Sequence, residues 1–269
     1  MRLLLRAAFV LSASYVIICA AMFFAQRKLL YRPEPSFAPA SQSGIPGLTD
    51  AALKTADGET LQAWRLAPRD ALKPVYLYLH GNGGNLASRA ARFKMMTADG
   101  SGLFALSWRG YGGSSGSPSE AALHADALQA YQMLEREIDP GRIIIFGESL
   151  GSGPAVKLAG LRKAGALILD SPYVSMQDLA SSLYRFLPVR FLLSDTYRSD
   201  LWIGQVKAPL LILHGARDQV VPIDRGEKLF ALANEPKRFH RMPDAGHVQA
   251  YTHGAGARVE AFLKEFWRP

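Results

Sequence analysis

The pentapeptide Gly147-Glu148-Ser149-Leu150-Gly151 holds the side chain best placed to do chemistry: a serine between glycines, directly after the apolar run Ile143 to Phe146 and before a helical stretch from Gly153. A strand that turns sharply into a helix exposes such a hydroxyl above the sheet, and the glycines make room for the turn. The helix N-terminus behind it favours negative charge developing on a substrate oxygen. The same spacing recurs at Gly112-Gly113-Ser114-Ser115-Gly116, within a Gly/Ser-rich loop past the strand-like run Leu103 to Trp108. There Ser114 reads as a turn former. Ser149 is the expected nucleophile.

A serine needs a base, and the base needs an acid to orient it. In a strand–turn–helix setting the chain order is Ser, then Asp or Glu, then His. His247, in Pro243-Asp244-Ala245-Gly246-His247, follows a short β-like stretch and precedes the last helical one, which makes it the expected base. Asp218 follows the apolar run Leu210 to Leu213 and lies 29 residues before His247, where the acid belongs. Asp170 also ends a strand-like run and is the alternative acid; Asp244 reads as a turn former. The other histidines read as structural: His80 opens a glycine loop, His124 sits in a helix, His214 ends a strand, His240 lies within one, and His253 is on the last helix. Two backbone N–H groups are expected to bind the developing oxyanion: that of Leu150, and that of Asn82 in His80-Gly81-Asn82-Gly83-Gly84-Asn85. No lysine follows these glycines and the G-x-G-x-x-G register is not met, which argues against a phosphate cradle.

The elements that must position these residues are visible as short apolar runs separated by longer amphipathic stretches. The runs Val75–Leu79, Leu103–Trp108, Ile143–Phe146, Ala166–Asp170 and Leu210–Leu213 are continuously apolar, as strands buried on both faces should be. Asp57-Gly58 predicts a hairpin ahead of them, so the sheet should begin antiparallel. Glu120 to Glu137 predicts a helix, with apolar residues at three- and four-residue spacing between Pro118 and Pro140. The pattern is that of a doubly wound α/β domain. Between Ser171 and Lys207 lies an insertion rich in Leu and Phe, about 172–207, expected to cap the site and suited to an acyl chain. Its Arg185, Arg190 and Arg198 would face either anionic headgroups or water.

Charge and composition narrow the classes. The 269 residues carry a formal net charge of +8, but Arg2, Arg6, Arg27, Lys28 and Arg32 supply +5 within the first 32 residues, where there is no acid. The remainder is too nearly balanced for a nucleic-acid footprint. The one cysteine, Cys19, lies in the N-terminal apolar stretch, so the globular part has no thiol for a disulfide, a Cys-ligated zinc or a thiolate nucleophile. Ala7 to Ala25 is uncharged and mostly apolar, and as a helix it would be roughly 28 Å long, near the thickness of a bilayer core. It reads as a membrane anchor. A cleaved signal peptide is the rival, although the apolar run continues through Met22, Phe23 and Phe24 past the small residues Cys19 to Ala21. The basic flanks nearly tie, and a signal-like first segment inclines the domain to the extracytoplasmic side. The expected organisation is an anchor over 1–28, a Pro/Ser/Gly-rich spacer over 29–50, and a catalytic domain over 51–269.

The segments HGNGGN, WRGYGGSSGSPSE, GESLGSGPA, LILHGARDQVVP and DAGH together resemble the α/β-hydrolase superfamily. Within it the chain is similar to the membrane-tethered serine hydrolases of the Bem-like and α/β-hydrolase-domain group, over roughly Leu53 onwards. The resemblance implies an eight-stranded, mostly parallel sheet flanked by helices, no cofactor and no metal. It also implies cleavage of acyl esters or thioesters through an acyl-enzyme at Ser149. Two departures stand out: Ser107 where the family often has an acid two before Arg-Gly-Tyr-Gly, and Val248-Gln249 where tethered relatives often have Asn and Asp. A serine peptidase of the prolyl-oligopeptidase type and a non-catalytic membrane scaffold remain the competing readings.

Overall fold

The computed structural model describes residues 1–268. Its first element, α1 (Arg2–Leu30), is a single helix with no buried residue, long and apolar enough to cross a membrane. The domain then begins with a hairpin, β1 (Thr49–Lys54) and β2 (Thr60–Leu66), whose turn contains Gly58 at φ +89°. After it come β3 (Val75–Leu79), α2 (Ala90–Met96), β4 (Gly102–Leu106), α3 (Glu120–Glu135), β5 (Ile143–Glu148), α4 (Ser152–Leu161) and β6 (Ala166–Asp170). The short helices α5 (Met176–Leu183), α6 (Val189–Leu192) and α7 (Ser199–Trp202) make up the insertion, and β7 (Leu210–Gly215), α8 (Ile223–Leu232), β8 (Lys237–Met242) and α9 (Ala255–Phe266) complete the domain.

The eight strands form one sheet in the order β1-β2-β4-β3-β5-β6-β7-β8. β2 is antiparallel to both of its neighbours, and the remaining pairs are parallel, as the hairpin and the apolar runs predict. Successive strand residues point to opposite faces, so each central strand feeds two cores. Leu77, Leu79, Ile145 and Leu169 pack with Leu123, Tyr131 and Val156 of α3 and α4. Tyr76, Tyr78, Phe146 and Ile168 pack with Phe93 of α2 and Phe262 of α9. With both faces covered, the carboxyl ends of the parallel strands form the open edge, the usual place for a site in such a sheet.

Two expectations are corrected here. The stretch expected as an extended spacer lies on the domain: Tyr31, Ala40, Ile45 and Leu48 are buried, and the Trp64 indole donates to the Ala38 carbonyl at 3.1 Å. The apolar residues interspersed among its prolines are what bind it down. His253 belongs to a short 3-10 turn (Tyr251–His253) that Gly254 separates from α9, because Gly254 adopts φ +86° and breaks the helical path.

Candidate active site

Ser149 sits where β5 turns into α4, with φ +47°, a left-handed conformation that a non-glycine residue adopts only when its surroundings hold it there. The glycines show what holds it. A Cβ on Gly151 would stand 2.0 Å from the Leu79 carbonyl oxygen, and one on Gly147 would stand 2.6 Å from Ala155 Cβ. The turn is thus pressed against β3 on one side and against α4 on the other, and the serine is left half-exposed at the strand end.

His247 and Asp218 come from the loops after β8 and β7 and reach the same point. His247 Nε2 lies 2.9 Å from Ser149 Oγ, and its Nδ1 lies 2.7 Å from Asp218 Oδ2. The other oxygen of Asp218 accepts the N–H groups of Val220 and Val221 at 2.9 and 2.8 Å. Burial would push this carboxyl up, but hydrogen bonds from His214 and His247 outweigh it and hold Asp218 well below the usual carboxylate range. It is therefore an anion with each oxygen occupied, aimed at Nδ1. Ser149, His247 and Asp218 are brought together in one chain of hydrogen bonds.

Asp170 is not part of this chain of bonds. It is fully buried, with Arg92 Nη1 3.2 Å from Oδ2 but without hydrogen-bond geometry, and burial raises it to about 6 despite the attraction of Arg92. An acid raised in the folded state binds its proton more tightly there than in the unfolded chain, so its contribution to stability falls as pH rises from about 4 through 6. Asp170→Asn removes that loss. Its stability relative to wild type should therefore improve between pH 4 and 7 by an amount on the order of 3 kcal/mol, measured by urea unfolding in detergent. A gap that does not change with pH would contradict the buried carboxyl whose burial outweighs the nearby Arg92.

The glycine loop after β3 is held from beneath. His80 is buried, donates from Nδ1 to the Gly81 carbonyl at 2.7 Å and accepts the Trp108 N–H on Nε2 at 3.1 Å. Burial first, and then Arg89, lower its pKa to about 3, so it is a neutral strut, as its structural reading requires. The Gly81 N–H donates to Glu148. The next N–H, that of Asn82, donates to no protein acceptor among the described residues. The Asn82 side chain reaches the other way, donating to the Leu30 carbonyl at 2.5 Å and accepting the Arg32 N–H at 2.9 Å. Ser114 is structural, as expected: its Oγ donates to the Ser107 carbonyl and accepts the Gln62 N–H.

Sequence reasoning missed a buried ionic cluster. Glu148 pairs with Arg89 Nη2 and Arg92 Nη1, each at 2.7 Å, and accepts the Tyr78 hydroxyl. Burial opposes its charge, but the two guanidiniums win and hold Glu148 far below the carboxylate range. Arg92 also donates to the Val248 carbonyl, beside His247. The signal was present, because a carboxylate ending a strand buried on both faces needs a partner. The departures at Val248-Gln249 and Ser107 are local loop supports: Val248 N–H donates to Ser171 Oγ, Gln249 Oε1 accepts the Gly246 N–H, and Ser107 Oγ donates to the Tyr111 carbonyl.

A cavity of about 510 Å³ opens in front of Ser149 and His247. One wall is the insertion, through Met176, Leu179, Leu187 and Leu192; another is α1, through Met22, Leu29 and Leu30. No group of His, Cys, Asp and Glu suited to a metal occurs among the described residues.

A mostly parallel eight-stranded sheet with a serine at a strand–helix turn defines an α/β-hydrolase. The comparisons agree. Residues 70–199 match the family model described as serine aminopeptidase, S33. The chain is 39% identical over 225 residues to an uncharacterised protein of Mycobacterium tuberculosis, covering 82% of this chain and 80% of that one. It is 30% identical over 209 residues to the protein bem46 of Schizosaccharomyces pombe, covering 72% and 69%. It is 37% identical over 184 residues to the lysophosphatidylserine lipase ABHD12 of Danio rerio, covering 61% and 48%. An esterase of Pyrococcus furiosus superposes with a TM-score of 0.71 at 19% identity, over 88% and 99% of the two chains. The chain belongs to the α/β-hydrolase superfamily, in its Bem-like group of serine hydrolases.

Proposed function

We propose that the protein is a membrane-anchored serine hydrolase that cleaves acyl esters or thioesters, with Ser149 as nucleophile, His247 as base and Asp218 as the acid that orients it. The observation that carries this reading is the Asp218–His247–Ser149 hydrogen-bond chain opening onto an apolar cavity. His247 takes the Ser149 proton as Oγ attacks the acyl carbon, then returns it to the leaving alcohol or thiol. Water next attacks the acyl-enzyme with His247 again as base, releasing the acid. The N–H groups of Leu150 and Asn82 receive the oxyanion in both steps.

The cavity favours acyl substrates over peptides. An aminopeptidase needs an anion to hold a substrate ammonium, whereas Arg32 is the charged residue in this lining and no Asp or Glu contributes to it. The lipase relative supports a lipid-like acyl group. The length and apolar character of α1 support a single span, and its signal-like start supports placing the domain on the extracytoplasmic side, to be checked by protease protection in sealed vesicles.

The test is fluorophosphonate labelling of membranes carrying wild type or Ser149→Ala. Wild type should label and the variant should not; equal labelling of both, or of neither, overturns the assignment. Profiling p-nitrophenyl esters of increasing chain length, acyl thioesters and aminoacyl amides then separates esterase from peptidase.

A further inference from the structure

The face that α1 turns to the domain carries Tyr15, Cys19, Met22, Gln26 and Leu30, at spacings of three and four. Its two hydrogen-bonding members, Tyr15 and Gln26, pair with the backbone of the insertion. Tyr15 Oη donates to the Phe186 carbonyl at 2.9 Å, Gln26 Nε2 donates to the Leu192 carbonyl at 3.2 Å, and Gln26 Oε1 accepts the Ser194 N–H at 2.7 Å. Below them Arg27 pairs with the buried Asp195 at 2.9 Å, and Tyr31 meets Tyr197 at 2.8 Å. The insertion therefore runs alongside the helix from Gln26 to Tyr15, a rise of about 16 Å, roughly half the ~30 Å hydrocarbon core of a bilayer.

That geometry constrains where the insertion can be. Were it in water, α1 from Tyr15 onward would be in water too, leaving residues 2–14, about 20 Å of helix, to cross a core of ~30 Å. The tip is also dressed for lipid: Phe186 is 92% exposed and Phe191 79%, beside an exposed Leu183. Irregular backbone is tolerated at membrane depth only where its polar groups are paired within protein, which is what Tyr15 and Gln26 do for the insertion. Arg185 and Arg190 have stems long enough to carry their charge back towards the headgroups.

We propose that the segment from Leu183 to Leu193 dips into the same leaflet as α1, so that the cavity opens sideways into the bilayer and receives acyl chains already dissolved there. This rests on the anchored-hydrolase reading and names the partner of its site: one membrane leaflet carrying acyl amphiphiles.

The full chain bearing Phe186→Cys in a Cys19→Ser background, labelled with a nitrobenzoxadiazole dye and reconstituted in phosphatidylcholine vesicles, reports the insertion directly. Doxyl-labelled lipid should quench the dye and aqueous iodide should not. Iodide quenching in a chain that resists alkaline carbonate overturns the insertion alone, whereas release by carbonate overturns anchor and insertion together. Neither outcome depends on catalysis. The second measurement uses Phe186→Glu with Phe191→Glu, whose side chains do not line the cavity. Hydrolysis of a long-chain monoacyl ester in vesicles should fall at least tenfold while a soluble butyrate ester stays within twofold; unchanged hydrolysis in vesicles overturns lateral entry.

Discussion

Asp218→Asn should lower kcat/KM for a soluble acyl ester by about 10⁴-fold while leaving the fold intact. The carboxylate accepts from Nδ1 of His247, and this fixes the tautomer in which Nε2 is free to accept the Ser149 proton. An amide at position 218 can turn its NH₂ towards Nδ1 and favour the opposite tautomer, with Nε2 protonated and unable to act as base. Asp170→Asn should cost far less, because its carboxyl makes no hydrogen bond to His247. Steady-state kinetics of the two variants decide the point. Comparable losses, or a larger loss at Asp170, would assign the orienting role to the wrong acid.

The second large effect is expected at Glu148. Its carboxylate neutralises Arg89 and Arg92, whose side chains are only 10% and 11% exposed, and Glu148→Gln would leave two guanidiniums close together in the interior. Breaking a buried ionic set by removing one member costs about 3–5 kcal/mol, which for a chain of this size is a fall in Tm of roughly 10 °C. Activity should fall as well, because Arg92 holds the Val248 carbonyl next to His247. Thermal unfolding in detergent measures the first effect. Replacing Arg89, Arg92 and Glu148 together by apolar residues should recover much of the lost stability, since the desolvation cost leaves with the charges. A Glu148→Gln protein that melts with wild type would show that the cluster contributes little.

How much was legible depended on whether the determining signal was local. The central strands were legible because burial on both faces demands continuous apolar runs, and Val75–Leu79 and Ile143–Phe146 supply them. The turn at Ser149 was legible because its Gly-x-Ser-x-Gly spacing sits directly between an apolar run and a helical stretch, even though the contact that requires Gly151 comes from Leu79 of β3. Two things were not. The clamp of Arg89 and Arg92 on Glu148 spans 59 and 56 residues, and an arginine in a sequence does not show which carboxylate it meets. The packing of the proline-rich stretch was hidden for a related reason. Its composition is that of a free linker, and its partners, Asp195 and Tyr197 for Tyr31, Asp50 for the Ala40 N–H and Trp64 for the Ala38 carbonyl, lie elsewhere along the chain and do not show in a one-dimensional reading.

The Asp218–His247–Ser149 hydrogen-bond chain is assembled from partners far apart in sequence: Ser149 and His247 are 98 residues apart, and Asp218 and His247 are 29 apart. Each follows a different strand, β5, β7 or β8, and β6 lies between the first two in the sheet. Loop-closure entropy must be overcome before any of these long-range pairings contributes, which makes such topologies slow to form. During that interval Ser149 is an ordinary alcohol, with no base beside it and no strained turn to present it. On the proposed anchored-hydrolase reading, a folding intermediate held by α1 at a membrane would thus be chemically inert towards the surrounding lipid. Hydrolytic capacity should appear in a single late step, when the β7 and β8 loops close over β5, so the time course of its appearance reports completion of the sheet.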